Sequence, residues 1–219
     1  MWKAMRKAMK VSGDNMVEWL ARVGAIAGLL TLIFAIVNML LAQTRPSGQQ
    51  SGAAAKILRT PYLVLATLLF LFLAYVFWKP LPMQLPEVVQ LGLTLLGAIL
   101  LFPSLGIYVW GLLTLGRNFN ASSGFGVRLQ QAHQLVTDGP FEHLRHPMYL
   151  AVILAGWGGL LMYRTWTMLG FAIMMLGLIY RGQAEEKSLA QAFGAEWEAY
   201  RRSVPGWILR WKPKIKERK

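Results

Sequence analysis

The chain has no cysteine, which excludes a disulfide framework, a thiolate metal site and a thiol nucleophile. Histidine is scarce too: His133, His143 and His146 are the full set, too few for a dedicated metal centre, so no metal is expected. Acidic residues number 10 against 23 lysines and arginines, giving a formal net charge of +13. Charged residues make up only 15% of the chain and hydrophobic ones 55%, with mean hydropathy +0.41. That balance suits several membrane spans better than a soluble core. The positive excess invites a nucleic-acid reading, but ten of the 23 basic residues lie from Arg181 onward, next to or beyond the last apolar segment. Such juxtamembrane clusters favour anionic lipid surfaces and cytoplasmic placement. The expected partner is therefore the lipid bilayer and not nucleic acid.

Residues 1–16 alternate basic residues with Trp2, Met5 and Met9, and an apolar run from Val23 to Leu41 follows. The run is too long for a signal peptide, so the pattern predicts an interfacial helix leading into a first transmembrane helix. Asn38, the polar residue within it, is expected to hydrogen-bond across to another helix. A loop rich in Gln, Ser, Gly and Pro covers 43–60, and Pro61 opens a second span, Tyr62 to Trp78. The third, Val88 to Leu115, exceeds one crossing and contains Pro103, which permits a kink. After the polar loop from Gly116 to Arg145, Pro147 is placed to start a helix at N1. That helix and the stretch Trp166–Tyr180 form a hairpin turned by Arg164-Thr165. Each arm has about 15 residues, or about 23 Å. Gly156, Gly158, Gly159 and Gly170 allow close helix approach there. Beyond Glu185 the helix continues to Phe193, Gly194 breaks it, and Glu196–Arg202 forms a short amphipathic helix.

The expected fold is thus an all-α integral membrane protein with about five transmembrane helices, a short C-terminal hairpin and a cytosolic cofactor-binding tail. Residues 1–115 form its first part, an interfacial helix and three spans, and 116–219 the second. Loops on the side of the C-terminus hold sixteen basic residues and those on the other side seven, which orients the C-terminus to the cytoplasm. The basic N-terminus dissents from that orientation.

Two polar clusters border the hairpin on its cytoplasmic side. His146 and Tyr149 are three residues apart at a helix start, where unsatisfied amides and the helix dipole favour an anion. Glu185 and Glu186 can accept from hydroxyls or an ammonium group. Leu135 to Gly139 can cover a planar base with backbone groups, since Gly139-Pro140 makes a tight turn. Arg181 lies four residues before Glu185 at the end of a span, a poor base but a good anion clamp. S-adenosyl-L-methionine presents a carboxylate, an ammonium, ribose hydroxyls, an adenine edge and a sulfonium, and these residues supply a partner for each. Methyl transfer from a sulfonium needs in-line positioning and a desolvated nucleophile, not a metal. Blander readings exist for each residue. Arg145 and Arg181 can be snorkelling interface residues, Glu185-Glu186 a solvated helix face, His146 a helix cap and Tyr149 an interface anchor. His133 and His143 read as solvated loop residues, and Trp157, Trp166 and Trp197 as packing or interface residues. What these readings leave unexplained is an acidic pair abutting a span across a hairpin from His146.

The motifs Asn118-Phe119-Asn120, His133-x-Leu135-Val136-Thr137-x-Gly139, Arg145-His146-Pro147-x-Tyr149, Arg181 with Glu185-Glu186, Phe193-Gly194 and Val204-Pro205 run in order over about the last hundred residues. They resemble the isoprenylcysteine carboxyl methyltransferases and the related phospholipid methyltransferases. The resemblance implies S-adenosylmethionine as cofactor and a lipophilic acceptor entering from the bilayer. It places His133, Leu135, Gly139, His146, Tyr149, Glu185 and Glu186 at the cofactor, with Arg181 at the reacting end; Arg145 is expected to join the cofactor set and Arg202 to help Arg181 orient the acceptor. Two departures stand out: Gly106–Leu115 lacks the charged pair that eukaryotic prenylcysteine enzymes use at the acceptor carboxylate, and Ser203 replaces an arginine before Val-Pro. Membrane sterol reductases, which bind a nicotinamide cofactor, look similar in this region, but Pro147 and the Glu-Glu pair favour the methyltransferases. A non-catalytic membrane scaffold would account for the spans but not for the clusters.

Overall fold

The computed structural model describes residues 2–43, 60–116 and 135–207, and every regular element within them is helical. The α-helices are α1 (Trp2–Gln43), α2 (Thr60–Val76), α3 (Glu87–Leu115), α4 (Pro147–Tyr163), α5 (Trp166–Met175), α6 (Gly177–Phe193) and α7 (Ala195–Ser203), with a 3-10 turn at Gly139–Glu142 before α4. Among the described residues, two stretches have the length and hydropathy to cross a membrane, Asn15–Leu41 of α1 and the whole of α3. Helix α4 is apolar but shorter, at 17 residues.

The first 43 residues depart from expectation. No interfacial helix separates from a span; α1 runs unbroken for 42 residues. Lysine and arginine are good helix formers, so a basic segment without Pro continues the helix that the apolar run begins. Asn38 also differs, donating to the Phe34 carbonyl one turn back at 2.8 Å instead of reaching another helix. Thr31, Thr94 and Thr114 likewise bond to carbonyls four residues earlier. Polar side chains in apolar helices thus meet their hydrogen-bonding needs locally, as a low-dielectric surrounding requires.

Helices α3 and α4 form the central pair, and small residues set their distance. A Cβ on Gly97 would lie 2.6 Å from the Gly158 carbonyl oxygen, and one on Gly158 would lie 2.8 Å from the Gly97 oxygen and the Leu101 nitrogen. The two backbones therefore touch, which any larger residue prevents. Gly156 and Gly159 also sit against neighbours, whereas Gly170 faces open space. Around this contact Ala98 and Leu101 bury with Met162, and nearer the start of α4 Leu112 and Phe141 bury with Met148. Pro103 lies within α3 without ending it.

At the far end of α4, Arg164 takes the left-handed conformation (φ 51°) and turns the chain, as expected. Its side chain donates to Leu161 O and to the buried Thr94 hydroxyl, while Leu81 N donates to its carbonyl. Tyr163 ties the same end to α1 by donating to Ala21 O at 2.7 Å. The returning arm is interrupted at Leu176, where bonds to residues three back replace the regular pattern, so α5 stops at Met175 and α6 begins at Gly177. The expected single arm to Tyr180 is therefore two helices. Outside these contacts the surface is apolar: Ile26, Leu29 and Leu30 of α1, Leu68 and Phe72 of α2, and Ile99 and Leu113 of α3 are all more than half exposed. Hydrocarbon, not water, is the solvent such a surface fits.

Candidate functional site

The site forms at the start of α4. The 3-10 turn leads through buried Leu144 into Arg145 and His146, and Pro147 opens the helix at N1, where a missing N–H costs nothing. His146 occupies the N-cap position, yet its side chain makes no cap. It turns instead to α6, where its Nε2 lies 2.9 Å from Glu186 Oε1. The same oxygen accepts from Arg145 Nη2 at 3.2 Å, and Arg201 Nε of α7 lies 4.0 Å from Oε2. One carboxylate thus joins the pre-helix loop, α4 and α7. The His146 side chain is 4% exposed and that of Glu186 18%, so this acidic residue is not a solvated helix face.

Arg145 is only partly satisfied by that pairing. Its Nε and Nη1 are buried and have no hydrogen-bond partner among the described residues. Its guanidinium lies 5.8 Å from the ring centroid of buried Trp197, a cation–π arrangement that holds the plane in place. Buried unpaired donors on a charged group are rare, because desolvation without a partner is costly.

A second pair stands one turn along α4. Arg181 Nε donates to the Tyr149 hydroxyl at 3.0 Å, and the guanidinium lies 5.6 Å from the Tyr149 ring centroid. Glu185 hydrogen-bonds to the same hydroxyl, and the Arg181 charge also reaches Tyr108 on α3. The His146 and Tyr149 rings stack at 5.7 Å with planes 10° apart, joining the two pairs.

The chain's last described segment closes this end. Helix α7 begins after Gly194 (φ 50°), buries Trp197 and Tyr200, and packs them with Val204 against Leu135, Leu189 and Phe193. The Tyr200 hydroxyl donates to Phe141 O at 2.7 Å. Burial holds the Tyr200 phenol above its usual value of 10.0, with the Arg145 charge pulling the other way. Beyond Val204 the backbone turns back, so that Arg145 N donates to Pro205 O and His146 N to Gly206 O. Trp207 stacks on the His146 ring at 4.9 Å.

Arg145, His146, Tyr149, Arg181, Glu185 and Glu186 thus come together. Leu135 packs into the Trp197 cluster, and Gly139 (φ 59°) lies against Thr114 and Trp110 of α3, where a Cβ would meet Thr114 Oγ1 at 2.7 Å. Arg202 is exposed and donates to the Glu198 carbonyl of its own helix, so it does not join Arg181. His143 is exposed. His133 and Asn118–Asn120 lie outside the described residues. Trp207, Gly182 and Arg201 were not legible as site residues: each acts through a tertiary contact that no local pattern announces. Among the described residues no cluster of three or more metal-binding side chains occurs.

This geometry defines a site of charged and aromatic side chains gathered between helices. Residues 93–196 match the family model of phospholipid methyltransferase, a stretch that runs from within α3 into α7 and contains all six converging residues. The matched stretch, just under half of the chain, is thus a phospholipid methyltransferase domain of the membrane methyltransferase kind. No curated protein matches the chain.

Proposed function

We propose that the protein is a multi-pass enzyme of the bilayer that moves a methyl group from S-adenosyl-L-methionine to a lipophilic acceptor, with the site and the C-terminus facing the cytoplasm. The observation that carries the reading is Arg145, whose two buried donors beside His146 need an acceptor that the described residues do not provide. A carboxylate such as that of the methionine moiety meets that need, and the positive end of α4 reinforces it. Glu185 and Glu186 offer oxygens to the ammonium or the ribose, and Leu135, Gly139 and His133 complete the proposed pocket. When bound, the cofactor supplies an electrophilic methyl group on sulfonium.

The chain's own contribution is placement. Arg181, held by Tyr149, is positioned to clamp an anionic acceptor without acting as a base. The apolar helices of 1–115 exclude water from the acceptor side, which leaves the nucleophile poorly solvated and reactive. A prenylcysteine-like carboxylate suits Arg181, whose charge also reaches Tyr108 of α3. In this proposal the five spans are the two longer helices, α2 and the two arms of the hairpin.

Calorimetry of the purified protein in detergent tests this reading. S-adenosylhomocysteine is expected to bind and NADPH is not. Binding of NADPH alone would overturn the methyltransferase assignment, and binding of neither would favour a scaffold.

A further inference from the structure

Trp207 lies beyond the segment that matches the family. It enters the site on a strap, Val204–Trp207, rooted by Val204 in the Trp197–Tyr200 cluster and fixed by the amides of Arg145 and His146. Its ring stacks on His146 with planes 28° apart. Helix α6 makes room for the ring by omitting a side chain. Gly182 is the one buried residue of α6, and a Cβ there would lie 2.8 Å from Trp207 Cζ2 but 3.4 Å from the nearest His146 atoms. This glycine stands between Arg181 and the Glu185-Glu186 pair, so ring and slot occupy the middle of the site.

Among the described residues the His146 side chain has one polar anchor, the Nε2 contact with Glu186. A ring held at one edge can still rotate about that bond, and a stacked neighbour is what fixes its plane. Gly206 serves the same closure: a Cβ there would lie 3.0 Å from Arg145 Nη2, so the strap packs directly on the arginine that carries the unpartnered donors.

We infer that Trp207 is a positioning residue of the site: seated in the slot left by Gly182, it fixes the His146 ring and, through it, the Glu186 and Arg145 geometry that receives the anionic end of the methyl donor. The inference rests on the donor site proposed above and adds to it a residue outside the family segment, together with the backbone strap that carries it. The sequence places this residue at the root of a basic tail. Residues 208–219 hold Arg210, Lys212, Lys214, Lys216, Arg218 and Lys219.

The test is S-adenosylhomocysteine affinity and unfolding temperature, in detergent, for the full chain and its Trp207 and Gly182 variants. Trp207→Ala is expected to weaken binding about three- to tenfold, as loss of one aromatic contact on a ligand-holding ring should, and Trp207→Phe to stay within about twofold of wild type. Gly182→Ala is expected to weaken binding similarly, because its Cβ evicts the indole. The double variant Gly182→Ala/Trp207→Ala should bind no more weakly than Trp207→Ala alone, since the added methyl then has space. Wild-type affinity in Trp207→Ala, or losses that add in the double variant, would overturn the inference. Should Trp207→Ala not fold, Gly182→Ala/Trp207→Leu takes its place and should bind at least as tightly as Gly182→Ala; tighter binding by Gly182→Ala alone would overturn it. If the wild type does not bind S-adenosylhomocysteine at all, the donor assignment fails. The Gly182–Trp207 slot is then read from the unfolding temperatures, which should show the same non-additivity, and additive changes there would sink the slot as well.

Discussion

The Arg181 guanidinium and the Tyr149 hydroxyl meet at 3.0 Å across the groove between α6 and α4, with Glu185 on the same hydroxyl. A tyrosine placed this way fixes the cation's direction through a neutral hydroxyl. Removing the hydroxyl should therefore loosen Arg181, and removing the guanidinium should abolish its effect. With a prenylcysteine-like acceptor, Arg181→Ala is expected to lower kcat by roughly tenfold or more, the size of a lost hydrogen bond to a charged group, with donor affinity nearly unchanged. Tyr149→Phe should fall between that variant and wild type. An Arg181→Ala enzyme with unchanged kcat would show that the guanidinium does not touch the reacting end.

Glu186 is the hub of the donor side, with His146 and Arg145 on one oxygen and Arg201 near the other. Glu186→Ala leaves Arg145 and Arg201 without the carboxylate between them, and both it and His146→Ala are expected to weaken S-adenosylhomocysteine binding. The Glu186 change should also cost about 1–3 kcal/mol of stability, a figure below that for fully buried pairs because the group keeps some solvent contact. Glu185→Ala should cost less stability. Titration calorimetry and thermal unfolding of the three variants check the order; wild-type donor affinity in both Glu186→Ala and His146→Ala would place the pocket elsewhere.

The α3–α4 contact predicts a contrast between two glycines. Gly158→Ala forces a methyl to 2.8 Å from backbone atoms of α3, and backbone cannot step aside as a side chain can. The two helices must separate, at a cost of about 1–3 kcal/mol. Gly170→Ala meets nothing within 4 Å and should be neutral or slightly stabilising in a helix. Thermal unfolding of both variants in one detergent decides the point, and equal stabilities would contradict the close approach.

Tyr200 supplies a pH dependence. Its folded pKa is raised above 10.0, mainly by burial, so above about pH 10 the folded chain holds a proton that the unfolded chain releases. The stabilisation from this group is then complete below pH 10 and is lost as pH rises beyond it. Tyr200→Phe is expected to cost about 1 kcal/mol at neutral pH, where the bond to Phe141 O is lost, and to lose less stability than wild type between pH 9 and pH 11. Parallel alkaline curves for the two proteins would contradict the assignment.

The helices and turns were legible because they depend on local patterns. Apolar runs marked α2 and α3, Pro147 marked the start of α4, Arg164-Thr165 the turn, and Gly194 the break before α7. The interruption at Leu176 was hidden because apolar residues continue straight through it to Tyr180. The two glutamates were read alike, yet neighbours on a helix point about 100° apart. Glu185 therefore reaches Tyr149 on α4, whereas Glu186 faces His146 and Arg145. The Trp207–Gly182 contact joins residues whose spacing carries no helical period, so only the folded chain shows it.

The Glu186 hub also has a consequence in time. Its partners are spread from Arg145 to Arg201, and the strap that seals it arrives later still, at Pro205 and Gly206. During synthesis the helices of the hairpin can form and pack while this carboxylate still lacks Arg201 and the strap. The finished geometry therefore records that the ribosome has delivered the chain through Trp207, and nascent chains stopped before Trp197 should hold packed helices around an unfinished site.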